Sequence, residues 1–156
     1  MDLDRYDRQL LNLVQEDSGQ TAERLAEQVE LSPSAIQRRL RRMRDEGVIV
    51  RDCAIVDPAV VGRPDFFVVA LQVERERADL LVQFRKWLAA EPHVQQAFYV
   101  TGEADFMLVV TAANNEAYEA LMSRMMRENP NIRRYTTNVA LGVLKRGLTL
   151  PVPSES

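Results

Sequence analysis

Apolar residues recur at helical spacing up to residue 47 and fall into strand-like runs from residue 66 onward. In the first stretch Leu3, Tyr6, Leu10, Leu11 and Val14 lie three or four positions apart, or side by side, and predict an amphipathic helix. Asp4 is a good N-cap for it, Asp7 adds a carboxylate to its first turn, and Ser18-Gly19 ends it. A second helix is expected over about 21–28, with Ala22, Leu25, Ala26 and Val29 on one face. The third carries the clearest signals. Ser32 caps it, Pro33 takes the first helical position, Ile36, Leu40 and Met43 form its buried stripe, and Gly47 sits just past its end. Only Glu30, Leu31 and Ser32 separate the second and third helices, a gap that suits a helix-turn-helix. Residues 48–56 are β-prone and could add a small wing.

The second stretch reads strand, helix, strand, strand, helix, strand. The strands are expected at 66–73, 94–100, 106–112 and 134–144, and the helices at about 77–90 and 116–128. That order is ferredoxin-like, an antiparallel sheet with both helices on one face. The fold class is therefore α+β, an N-terminal, winged helix-turn-helix domain joined to a C-terminal ferredoxin-like βαββαβ domain. Pro58, Gly62 and Pro64 mark residues 58–65 as a linker. The expected boundaries are 1–57, 66–150, and a Pro/Ser tail over 151–156. The runs Phe66-Phe67-Val68-Val69-Ala70-Leu71 and Phe106-Met107-Leu108-Val109-Val110 are apolar on both faces of their strands. A sheet covered by helices on one side would alternate, so its second face must be buried too, and a second copy of the chain is the simplest cover.

Composition removes several classes of function. At 46% hydrophobic the chain can build a core, and no apolar run approaches the roughly 18 residues of a membrane span. The acidic opening Met1-Asp2-Leu3-Asp4 is unlike a signal peptide, so the cytoplasm is the expected compartment. A single cysteine, Cys53, allows no disulfide within the chain and no cysteine metal cluster. It is expected as a small, partly buried side chain. One histidine, His93, argues against zinc sites and most histidine acid–base chemistry, so no metal, cofactor or catalytic residue is expected. Trp87 and Phe84, three apart on a helix, read as core.

The net charge of -3 hides a local surplus. Between Ile36 and Arg51 stand Arg38, Arg39, Arg41, Arg42, Arg44 and Arg51, against only Asp45 and Glu46. Charge within a Debye length, roughly 8–10 Å, decides phosphate binding. With about 100° per residue, Ser34, Arg38, Arg41 and Asp45 fall opposite Ile36 on the third helix, flanked by Gln37 and Arg42. A helix that reads base edges needs such a face. Ser34, Gln37 and Arg38 are expected nearest the bases, and Arg41, Arg42 and Arg44 as phosphate clamps. The blander reading is an arginine-rich solvated face; the short turn and the capped helix favour double-stranded DNA.

A polar turn over 101–105 interrupts the two middle strands. Gly102 leaves a backbone N–H open to a close group, and successive turn amides can cradle a carboxylate. Asp105 can accept hydrogen bonds from an ammonium, with Thr101 and Glu103 beside it and Thr136, Thr137 and Asn138 as further polar contacts from an adjacent subunit. An ordinary β-turn, with Asp105 bonded to nearby amides, explains the same residues.

Leu3-Asp4-Arg5-Tyr6-Asp7, the run Leu31-Ser32-Pro33-Ser34-Ala35-Ile36 followed by Arg39-Leu40, Met43 and Gly47-Val48-Ile49, and Thr101-Gly102-Glu103-Ala104-Asp105-Phe106 resemble motifs of the Lrp/AsnC (feast/famine) family of bacterial and archaeal transcription regulators. The likeness runs from Leu3 to about Leu150. It implies a DNA-binding domain joined to an amino-acid-sensing domain, dimers that assemble into octamers or other rings, and an effector held at the 101–105 turn between dimers. Ala104 departs from the polar residue frequent there. Two other functions fit the architecture: a low-specificity architectural DNA binder, and a sirohaem-decarboxylase-like enzyme. The second uses histidines near its tetrapyrrole, and here His93 stands alone.

Overall fold

The computed structural model describes residues 2–74 and 77–153. The chain forms two compact units, Met1–Ile55 together with the chain from Arg146 on, and Val56–Lys145. The segment after Lys145, expected with the second domain, groups by its contacts with the first unit.

The first unit holds three helices, α1 (Arg5–Glu16), α2 (Ala22–Ala26) and α3 (Pro33–Asp45). Asp4 and Asp7 make a capping box: the Asp7 N–H donates to Asp4 Oδ1 at 2.9 Å, and Asp7 Oδ2 accepts from the Asp4 N–H at 3.3 Å. Ser32 caps α3 through the Ala35 N–H, Pro33 occupies its first turn, and Gly47 follows it at φ 73°, a left-handed conformation that glycine adopts without strain. Leu10, Leu25, Ile36 and Met43 are fully buried between the three helices. α2 is shorter than expected, since the chain turns after Ala26. The β-prone segment 48–56 forms no strand. Val48 and Ile49 pack on the helical core, and Asp52 further along accepts from Arg44 of α3 in place of any strand pairing. Cys53 there is exposed, not half-buried.

In the second unit Pro58–Val60 makes one 3-10 turn, and Asp65, expected in the linker, already begins the sheet. The elements are β1 (Asp65–Val73), α4 (Ala78–Ala90), β2 (Val94–Tyr99), β3 (Phe106–Ala112), α5 (Asn115–Glu128) and β4 (Ile132–Val139), with sheet order β2-β3-β1-β4 and every pairing antiparallel. This is the expected ferredoxin-like arrangement. β4 starts two residues earlier than expected and ends five earlier, because Ala140 makes the last backbone bond to β1 at Phe66. Phe67, Val69 and Leu71 of β1 and Phe106, Leu108 and Val110 of β3 point to α4 and α5 and are buried with Phe84, Met122 and Met125. Trp87 is half-buried against this core, and its indole N–H donates to Glu128. Phe66, Val68 and Ala70, with Met107, Val109 and Phe98, alternate onto the opposite face, which none of the described helices covers.

Candidate functional site

Burial of Ile36, Leu40 and Met43 turns the other side of α3 to solvent. Ser34, Gln37, Arg38 and Arg41 are all exposed on it. Among the described residues Arg38 and Arg41 form no ion pair, so their guanidinium groups stand ready for an anionic partner. Arg42 and Arg44 differ. Arg42 Nη2 donates to Asp7 Oδ2 at 2.7 Å, and Arg44 Nε to Asp52 Oδ2 at 3.0 Å. Both were expected as phosphate clamps; each already holds a carboxylate with which a phosphate must compete.

Asp7 exceeds the helix-start role read from sequence. Its side chain is 1% exposed, and its two oxygens receive Arg39 Nη1 at 2.8 Å and Arg42 Nη2 at 2.7 Å. Arg39 Nη1 also reaches Asp4 Oδ2 at 2.7 Å. One carboxylate pair at the start of α1 thus fixes two arginines of α3 and with them the rotation of that helix. Partial burial works against ionisation of Asp4, but the Asp7 N–H and the Arg39 guanidinium hold its carboxyl below the ordinary range. Sequence reading missed this junction because its partners lie more than thirty positions apart.

In the second unit the turn after β2 exposes Thr101, Gly102 and Glu103. Gly102 has φ 116°, a conformation closed to most side chains, so the glycine is required there. Asp105 lies inward. It is 6% exposed, its N–H donates to the Leu71 carbonyl at 2.8 Å, and its Oδ2 accepts from the Val73 N–H at 2.9 Å. The carboxylate expected to meet a ligand ammonium therefore pins the turn to the end of β1. Gln72 Nε2 adds a bond to the Glu103 carbonyl at 2.7 Å.

Thr136, Thr137 and Asn138 cannot act as one group, because successive strand residues face opposite ways. Thr137 pairs with Val69 on the helix side and hydrogen-bonds the Tyr118 hydroxyl, whereas Thr136 and Asn138 pair with Ala70 and Val68 on the uncovered side. Sequence reading also missed a cleft of about 450 Å³ where β2 meets α4, lined by Arg85, Leu88, Val94, Tyr99 and Phe106 among others. Arg85 lies 5.6 Å over the Tyr99 ring. His93 is exposed in the loop before β2, with Nδ1 3.0 Å from the Thr111 carbonyl. Among the described residues no group of three or more histidine, cysteine, aspartate or glutamate side chains is placed to hold a metal ion, and no helix is long and apolar enough to cross a membrane.

Residues 3–50 match the winged helix-turn-helix DNA-binding model, and residues 67–150 match the Lrp/AsnC ligand-binding domain. The chain is 44% identical over 152 residues to an uncharacterized HTH-type transcriptional regulator of Sinorhizobium fredii, covering 97% of this chain and 90% of that one. Two solved structures are similar along their whole length. One is an AsnC family transcriptional regulator from Agrobacterium tumefaciens, at 30% identity and TM-score 0.86, covering 97% of each chain. The other is a Neisseria meningitidis transcriptional regulator in complex with L-methionine, at 25% identity and TM-score 0.86, covering 96% of this chain and 97% of that one. The chain belongs to the Lrp/AsnC family, transcriptional regulators in which a helix-turn-helix DNA-binding domain is joined to a ligand-binding domain.

Proposed function

We propose that this regulator binds DNA sequence-specifically as a homodimer and that an amino acid changes its assembly and its grip on DNA. The observation that carries the DNA reading is the outer face of α3, where Arg38 and Arg41 stand exposed beside Ser34 and Gln37 on a helix fixed at both ends. Arginine there can take a guanine edge bidentately and displace phosphate counterions. The dimer is supported by the uncovered sheet face, where Val68 is 36% and Phe98 53% exposed. A second copy of that face buries both, and two-fold symmetry then presents two heads to a near-palindromic site. Assembly of such dimers into octamers belongs to the same proposal, as does action in the cytoplasm.

The L-methionine complex of the Neisseria meningitidis regulator supports an amino-acid effector. In our reading the amides at Thr101, Gly102 and Glu103 take the effector carboxylate, and Asp105 acts by holding the turn in shape. Thr136 and Asn138 of a neighbouring subunit supply further polar contacts, whereas Thr137 is committed to Tyr118. A thermal-shift screen of the twenty amino acids tests the reading. A specific stabiliser whose effect survives Arg85→Ala but is lost on Gly102→Val supports the turn; loss on Arg85→Ala alone moves the site to the cleft beside β2. Footprinting on a duplex selected from a random pool tests specificity. Discrete protected half-sites support a regulator, and protection that spreads with concentration supports an architectural binder.

A further inference from the structure

Beyond Lys145 the chain rejoins the first unit, and from Leu150 to Pro153 it is bonded to α1 by a ladder of hydrogen bonds. Gln15 Nε2 donates to the Leu150 carbonyl at 3.0 Å, and Gln15 Oε1 accepts from the Leu150 N–H at 2.8 Å. About one turn earlier, Asn12 repeats the pattern with Val152, at 2.9 Å and 3.1 Å. Arg8 Nη1 reaches the Pro153 carbonyl at 3.4 Å, and Val152 packs against the helical core.

The match is in phase. Three helical residues rise about 4.5 Å, and two residues of extended polyproline-type chain about 6 Å, a difference that two flexible carboxamides absorb. Each carboxamide satisfies both polar groups of one backbone unit. Pro151 and Pro153 occupy the intervening positions, where no N–H is needed and a fixed φ keeps the segment extended. Leu-Pro-Val-Pro thus suits this strip in residue type and in register.

We propose that Asn12 and Gln15 form a docking strip for the chain's own C-terminal segment, and that docking makes the segment a second tether between the DNA-binding head and the effector domain. The head is then joined to that domain twice, through residues 56–64 and through residues 140–149. A head on one linker samples many positions, and a head held at two points samples few. In a dimer the second head then meets its half-site at a higher effective concentration. The tether leaves directly from the end of β4, the strand that carries Thr136 and Asn138, so movement of that strand reaches α1 along the chain itself. The inference rests on the two-headed dimer proposed above.

The test uses the full chain, a chain ending at Thr149, and the full chain with Asn12→Ala and Gln15→Ala. Each is titrated against a selected duplex carrying two half-sites and against one carrying a single half-site. Both variants are expected to lose about tenfold in affinity for the two-site duplex and to bind the single site unchanged. A free peptide of residues 147–153 is expected to restore the melting temperature of the truncated chain but not its two-site affinity, because a peptide in trans refills the strip without joining the domains. Restoration of both would reduce the segment to part of the head's fold and overturn the tether. Unchanged two-site affinity in a dimeric protein also overturns it. Light scattering on the same samples separates the two ideas: a monomeric parent contradicts the dimer and the tether with it, and a dimeric parent with unaffected variants contradicts the tether alone.

Discussion

Arg38 and Arg42 lie one helical turn apart, yet they offer different things to DNA. Arg38 is exposed and forms no ion pair among the described residues, whereas Arg42 is bonded to the buried Asp7 carboxylate. Arg38→Ala is therefore expected to cost roughly 1–3 kcal/mol of binding and to relax specificity at one base position. Arg41→Ala should weaken binding to all sequences alike and lower the salt slope by about one, and Arg42→Ala should lower it by less. Salt titrations of the three variants check this; equal slopes for Arg41→Ala and Arg42→Ala would show that Asp7 releases Arg42 on binding. Asp7→Ala removes a cap and two charge-assisted bonds, and is expected to destabilise the fold by about 2–3 kcal/mol in denaturant melts. The direction of each arginine was legible in sequence because the helical period fixes it. The ion pairs were not, because Asp7 meets Arg39 and Arg42 only after α1 and α3 pack.

Within elements, local signals were the most legible. Asp4, Ser32, Pro33 and Gly47 act through backbone groups a few residues away, so the caps of α1 and α3 could be read from spacing. The polar run at Thr136, Thr137 and Asn138 was read as one cluster, and strand alternation divides it between two faces. The end of β4 depends on where its partner β1 begins, information that β4 itself does not contain. At the other end of β1, Asp105→Ala strips the Val73 N–H of its buried acceptor and should cost about 1–3 kcal/mol; Asp105→Asn, which keeps an acceptor oxygen, should cost less. Chemical denaturation of both variants measures the difference. Glu91, at the end of α4, receives Arg124 Nη2 at 2.6 Å and the His93 N–H at 3.1 Å. Burial would raise its pKa, but Arg124 and that N–H outweigh it and hold the carboxyl below its ordinary range. The unfolded chain then binds this proton at higher pH than the folded one. The contribution to stability is full above the ordinary glutamate range and falls away as the solution is acidified through the lowered pKa. Melting temperatures of Glu91→Gln should therefore depend less on pH in that acidic window than those of the parent.

For the molecule as a whole, the uncovered sheet face is the largest unmet demand of the fold. Phe66, Val68, Ala70, Met107 and Val109 repeat the apolar character of the buried face, and among the described residues no helix is left to cover them. A dimer at micromolar concentration is expected by light scattering, and Val68→Asp, placed in the centre of that face, should yield monomers that keep native circular dichroism. Both-sided apolarity was legible directly from the strand sequences, although only the structure shows which residues the helices leave uncovered. The pairing of residues 150–153 with α1 was not legible, since about 140 positions separate the partners. The central claim is that one chain couples amino-acid recognition to DNA recognition. Its most direct test is the affinity of the full-length protein for a selected two-site duplex, measured with and without each of the twenty amino acids. The account predicts that at least one amino acid, L-methionine being the first to try, changes that affinity severalfold and that Gly102→Val, which cannot hold φ 116° without strain, abolishes the change. An affinity that none of the twenty alters would contradict it.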